Sequence, residues 1–119
     1  MHEAALIQGL ISIAEQALLE QALAEKHPAR VKTLRVAVGP LSGALPDALS
    51  FAFEAAADGM FAGARLELMP GRVLARCADC GGEYEPQGFP YACPVCGCNR
   101  FQIVSGEDVV LESIEYDEV

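Results

Sequence analysis

Residues 31–59 read "VKTLRVAVGPLSGALPDALSFAFEAAADG", and two periodicities meet in them. Leu34, Val36 and Val38 alternate with Thr33 and Arg35. Period-two alternation carried by β-branched residues marks a strand with one buried face. A loop follows, and then the spacing predicts a helix. Pro46 and Asp47 suit its first turn, Leu49, Phe53 and Ala56 share a face, and Gly59 is a stop signal. Next comes "ARLELMP" (64–70), a second strand with Leu66 and Leu68 pointing one way. Strand, helix, strand is the crossover unit that places two strands parallel, right-handed in nearly all known cases.

The rest of the body is built outward from this unit. Residues 4–25 carry Leu6, Ile7, Leu10, Ile11, Ala14, Leu18 and Ala22 at helical spacing, with Gln8, Ser12, Glu15, Gln16 and Glu20 on the other side. That pattern predicts an amphipathic helix of about six turns. His27-Pro28 ends it, because proline disfavours helical backbone in the residue before it. The closing "DVVLESIEYDEV" (108–119) is a third, less regular strand, whose direction and place in the sheet the pattern does not set. The fold class expected is α/β, a small mixed sheet covered by two helices.

Between the second and third strands, residues 72–106 change character. All five cysteines and four of the aromatic residues fall there, and no helical period runs through them. A segment under about 40 residues seldom folds alone without a metal or a disulfide. The expected organisation is an α/β domain of residues 1–71 and 107–119, interrupted by a metal-stapled insert of residues 72–106.

The insert carries two CxxC pairs, Cys77 with Cys80 and Cys93 with Cys96. Two residues between thiolates let a tight turn aim both sulfurs at one ion, and two such turns complete a tetrahedral set. Gly81 and Gly97 follow each pair, where a left-handed backbone commonly closes the turn. Four protein thiolates leave no open coordination position, so the expected site is structural zinc rather than a catalytic centre. "CADCGGEY" and "YACPVCG" also resemble rubredoxin knuckles, in which a four-cysteine iron carries one electron. A rubredoxin is little more than its iron module, whereas most of this chain lies outside the insert. Cys98, two residues past Cys96, reads as a bystander thiol, since exchanging it with Cys96 would strain the CxxC spacing.

Composition excludes some classes of function. The chain has 119 residues, about one domain, and 8 basic against 17 acidic residues give a net charge of -9. Binding to nucleic acid requires clustered Lys and Arg to displace counterions, and no such cluster exists here. The first apolar stretch lacks a basic leader and is broken by polar residues, which argues against a signal peptide or a membrane span. Five cysteines without an export signal read as metal ligands, which places the protein in the cytoplasm.

The first residues are "MHE". The Met1 amine, the His2 backbone and ring nitrogens and the Glu3 backbone nitrogen can together form a planar nitrogen set. That geometry is expected of Ni(II) or Cu(II) and not of zinc. The first four N–H groups of a helix have no intrahelical acceptor, so deprotonating two of them need not break secondary structure. A plainer reading stands beside this one: Glu3 complements the helix dipole and His2 is a solvated terminal residue. His27 is read as a helix-end residue without further function.

Taken together, "MHE", "VAVGPLSGALPDALSFAFEAA", "CADCG", "CPVCG" and the closing "LESIE" resemble the HypA/HybF family of nickel metallochaperones, nearly end to end. The resemblance implies a nickel-binding α/β domain and a zinc-ribbon-like domain. By position, Met1, His2 and Glu3 match the family's nickel motif, with His2 essential, and Cys77, Cys80, Cys93 and Cys96 match its structural zinc ligands. It also implies delivery of Ni(II) during maturation of [NiFe]-hydrogenase, and sometimes of urease. The implied partners are a HypB-type GTPase and the hydrogenase large subunit. The chain has no phosphate-binding loop of its own, which fits reliance on a separate GTPase. Ala5 departs from the more polar residue that relatives often carry there. Two other readings remain: a zinc-ribbon adaptor that binds proteins without nickel, and a rubredoxin-like electron carrier. An enzyme is not expected, for want of an open metal site or a nucleophile–base pair.

Overall fold

A computed structural model describes residues 2–25, 29–88 and 90–118. Eight elements of regular structure follow in order: α1 (Glu3–Glu25), β1 (Ala29–Val38), α2 (Pro46–Ala56), β2 (Arg65–Pro70), β3 (Leu74–Cys77), β4 (Glu83–Tyr84), β5 (Phe101–Ser105) and β6 (Val109–Glu118). They form two three-stranded sheets, ordered β2-β1-β6 and β4-β3-β5. The helix stop expected at His27-Pro28 lies outside the described residues.

The first sheet is mixed. β1 runs parallel to β2, from Thr33 opposite Arg65 to Val38 opposite Pro70, as the strand–helix–strand reading requires. On its other edge β1 pairs antiparallel with β6, which supplies the direction and place that the sequence left open. Simple alternation would set Val31 on the same face as Thr33 and Arg35. Yet Val31 is buried with the helices, because Lys32 has no partner on β6 and the register shifts there. A bulge inserts one unpaired residue and reverses the phase of the strand. Glu112 on β6 is likewise skipped between Ser113 and Leu111, so the original register is restored by Val36.

Both helices cover one face of this sheet. Ile7, Leu10, Ala14 and Leu18 of α1 turn inward at three- and four-residue spacing. They meet Leu49 and Phe53 of α2 and Val31, Leu34 and Val36 of β1. Burying each large side chain of this set contributes about 1.5–3 kcal/mol. Leu66 and Leu68 of β2 pack against the same cluster, on the side the sequence indicated. Pro46 sits in the first turn of α2, where its missing N–H costs no hydrogen bond. Past α2, a short 3-10 turn over Gly59–Phe61 buries Phe61 beneath β1. Among the described residues, no helix is long and apolar enough to cross a membrane.

The second sheet has a small core of its own: Ala75, Cys77, Tyr84 and Cys93, with Cys98, Phe101 and Ile103 at its margin. Tyr91 adopts a left-handed backbone at φ 61, which L-residues avoid. The Tyr84 hydroxyl donates to the Tyr91 carbonyl, and the Tyr91 ring lies 5.3 Å from that of Phe101. Backbone bonds tie the segments that lead to and from the second sheet to the end of the first. Gly39 N–H donates to the Asp108 carbonyl at 2.9 Å, Leu41 to Gly106 at 2.8 Å, and Gly71 to Val38 at 2.8 Å. A Cβ on Gly39 would stand 2.4 Å from the Gly106 oxygen, so only glycine permits this approach.

Candidate metal centres

The four-cysteine site rests on two turns of the same design. Cys77 ends β3, and the N–H of Gly81 donates to its carbonyl at 3.0 Å; Gly97 donates to the Cys93 carbonyl at 2.8 Å. Both glycines sit at φ 76. The Cys77 N–H donates to the Gly82 carbonyl and the Cys93 N–H to the Cys98 carbonyl, at 2.9 and 2.8 Å. Cys98 is therefore the counterpart of Gly82, a backbone member of its turn.

These turns bring four sulfurs together. Those of Cys77, Cys80, Cys93 and Cys96 all lie within 4.8 Å of one another, with Cys77–Cys96 at 3.4 Å and Cys80–Cys93 at 3.7 Å. A tetrahedral ion with metal–sulfur bonds of about 2.3 Å requires sulfurs about 3.8 Å apart. The donor set fits such an ion. Cys77 and Cys93 are buried while Cys80 and Cys96 are exposed. Cys98 is not in the cluster; its sulfur accepts the Arg100 N–H at 3.3 Å. Arg100 is also paired with Asp79, and its carbonyl accepts the Ala78 N–H at 3.0 Å, which clips one turn to the other.

The thiols are electrostatically divided. The backbone N–H of Cys80 pulls the Cys77 thiol down to about 6, and that of Cys96 lowers Cys93 in the same way. Their partners move up. The N–H of Gly82 draws Cys80 down and that of Cys98 draws Cys96 down, but contacts with the neighbouring sulfurs outweigh both, and Cys96 rises to about 12. Four thiolates cannot share this space without a cation to balance them.

At the other candidate centre, His2 is exposed and its carbonyl accepts the Leu6 N–H at 2.9 Å, the first bond of α1. Met1 lies outside the described residues. Glu3 is 5% exposed, and its carboxylate accepts the N–H of Leu45 at 3.0 Å. Leu45 is the N-cap of α2 and has no side-chain cap of its own, so Glu3 ties the start of α1 to the start of α2. Sequence reasoning missed this role. The available signal was spacing, since Glu3 lies four residues before Ile7 on the buried stripe that runs through Leu10, Ala14 and Leu18.

The Leu45 N–H holds the Glu3 carboxyl below its ordinary value of 4.5. A depressed folded-state pKa adds stability above the unfolded value, and that stability is lost as pH falls through the folded one. Thermal midpoints measured between pH 7 and pH 3 should therefore fall less steeply in Glu3→Gln than in wild type. At pH 7 the variant should melt lower, and near pH 3 the two should converge. Parallel curves would show that the bond carries no pH-dependent stability.

An α/β body in which Glu3 ties α1 to the cap of α2, with a four-cysteine module joined to it that could hold a metal ion, has the make-up of a small metal-binding protein. A family model described as "Hydrogenase/urease nickel incorporation, metallochaperone, hypA" matches residues 1–116. The Hydrogenase maturation factor HypA of Desulfitobacterium hafniense is 37% identical over 119 residues, covering 99% of this chain and 100% of that protein. The HypA of Geobacter metallireducens is 35% identical over 120 residues, with 98% and 100% covered. Among solved structures, that of the Ni metallochaperone HypA from Helicobacter pylori superposes with a TM-score of 0.72, covering 97% of each chain at 24% identity. The last likeness concerns the fold. The chain belongs to the HypA family.

Proposed function

We propose that this protein is a nickel metallochaperone that binds Ni(II) at its N-terminus and delivers it during [NiFe]-hydrogenase maturation. The observation that carries the proposal is the family match over residues 1–116, which includes the starting "MHE". Nickel is cargo here, and no bond of a substrate is made or broken. The Met1 amine, both His2 nitrogens and the Glu3 backbone nitrogen would form the planar set. The exposed imidazole of His2 is free to enter and leave that set. Glu3 contributes through its backbone; its carboxylate is engaged with Leu45 and fixes where α1 begins. An exposed terminal chelate suits ligand exchange, because an acceptor can approach without unfolding the donor.

Zinc at Cys77, Cys80, Cys93 and Cys96 would be structural, since four thiolates close its coordination sphere. The proposed partners are a HypB-type GTPase and the hydrogenase large subunit, in the cytoplasm; urease is a second proposed recipient, as the family description includes it. Hydrogenase activity tests the proposal in cells that lack their own nickel-delivery factor. Wild type should restore activity at low nickel, and His2→Ala should restore it only with a large nickel supplement. Full restoration by His2→Ala at low nickel would leave the chain a zinc-ribbon adaptor.

A further inference from the structure

β6 forms one edge of the first sheet, and among the described residues it pairs only with β1. Ten residues in length, it is one of the two longest strands. An edge strand presents about half of its N–H and C=O groups outward, ready to pair with another chain. Beside this edge the helical layer leaves a groove of about 330 Å³ between α1 and β6, with apolar Ala17, Leu18, Leu111, Ile114 and Tyr116 lining it and polar Glu112 and Ser113 also in its wall. Glu115 and Asp117 are exposed on the opposite side of the strand, and Glu112 is the bulged residue.

We propose that the β6 edge and this groove dock an extended partner segment that alternates apolar with basic side chains. Such a segment would continue the ladder beyond β6. Its apolar side chains would enter the groove against Leu111, Ile114 and Tyr116, and its basic side chains would lie on the face of Glu115 and Asp117. Charge chooses between occupants. Residues 109–118 contain four acidic residues and no basic one, so a second copy pairing β6 with β6 would oppose like charges. A basic segment meets complementary charge. This docking is independent of the nickel reading, because nothing in it involves the N-terminus.

The test uses the full zinc-loaded chain and an end-blocked nine-residue peptide of alternating valine and lysine, followed by fluorescence anisotropy and backbone NMR. Binding should shift the amides of residues 109–118 and slow their hydrogen exchange. Replacing lysine by glutamate in the peptide should weaken binding at least tenfold. N-methylating the peptide amides that would face β6 should do the same, although every charge is kept. On the protein, Ala17→Trp fills the groove from an exposed helix position and should also cost tenfold, while folding is checked by the unchanged amide signals of β1 and β2. Equal binding by the N-methylated peptide, or by Ala17→Trp, would overturn strand addition and leave only charge attraction. No binding at millimolar peptide, or pairing of β6 with a second copy, would overturn the proposal outright.

Discussion

Removing metal from the four-cysteine site should unfold the β4-β3-β5 sheet and leave the β2-β1-β6 sheet folded. Among the described residues the core of the second sheet has only four that are buried, two of them cysteines of the site, and its strands are four, two and five residues long. So small a core does not offset the entropy of ordering the segment. A structural zinc contributes about 10–16 kcal/mol in comparable modules, far more than such burial supplies. Without the ion, the sulfurs that crowd to 3.4 and 3.7 Å have nothing to balance their charge. Cys77→Ser should act like chelation and abolish stoichiometric zinc, whereas Cys98→Ser should keep it. Metal analysis with amide NMR reads both effects. Retained dispersion of residues 74–105 after metal loss would contradict the staple, and a red protein containing iron would replace zinc by an electron-carrying centre.

The body of the fold was legible because its signals are local. The strand–helix–strand unit followed from the alternation at Leu34, Val36 and Val38 and from the spacing of Leu49 and Phe53. The four-cysteine cluster followed from CxxC spacing, since two residues between thiols already dictate the turn. What stayed hidden depends on distant partners. β6 could have joined either edge, and only its ladder with β1 decides. Val31 joins the core through a bulge at Lys32, a skipped pairing that leaves no trace in composition. The bond from Leu45 to the Glu3 carboxylate spans 42 residues. Cys98 read as a bystander, and its carbonyl is a working part of the second turn, which no side-chain pattern announces.

The proposed nickel site carries the second large effect. A planar set that uses the terminal amine requires that amine, two backbone nitrogens and the His2 ring in one short stretch. One residue added before Met1 turns the amine into an amide and moves the new terminus away from His2. Even outer-shell partners cost about 10–100-fold in metal affinity, so losing a direct ligand should cost roughly a hundredfold or more. The extension should leave the fold intact, because His2 remains exposed and the Glu3 carboxylate still reaches Leu45. Zinc content should not change either, since no zinc ligand is touched. The deciding measurement is a nickel titration of zinc-loaded protein, by calorimetry and absorption, with the native terminus and with one residue added. The native form is predicted to bind one nickel with the absorption of a planar site, and the extended form to lose both. Equal binding and equal spectra in the two forms would contradict nickel binding at Met1, His2 and Glu3.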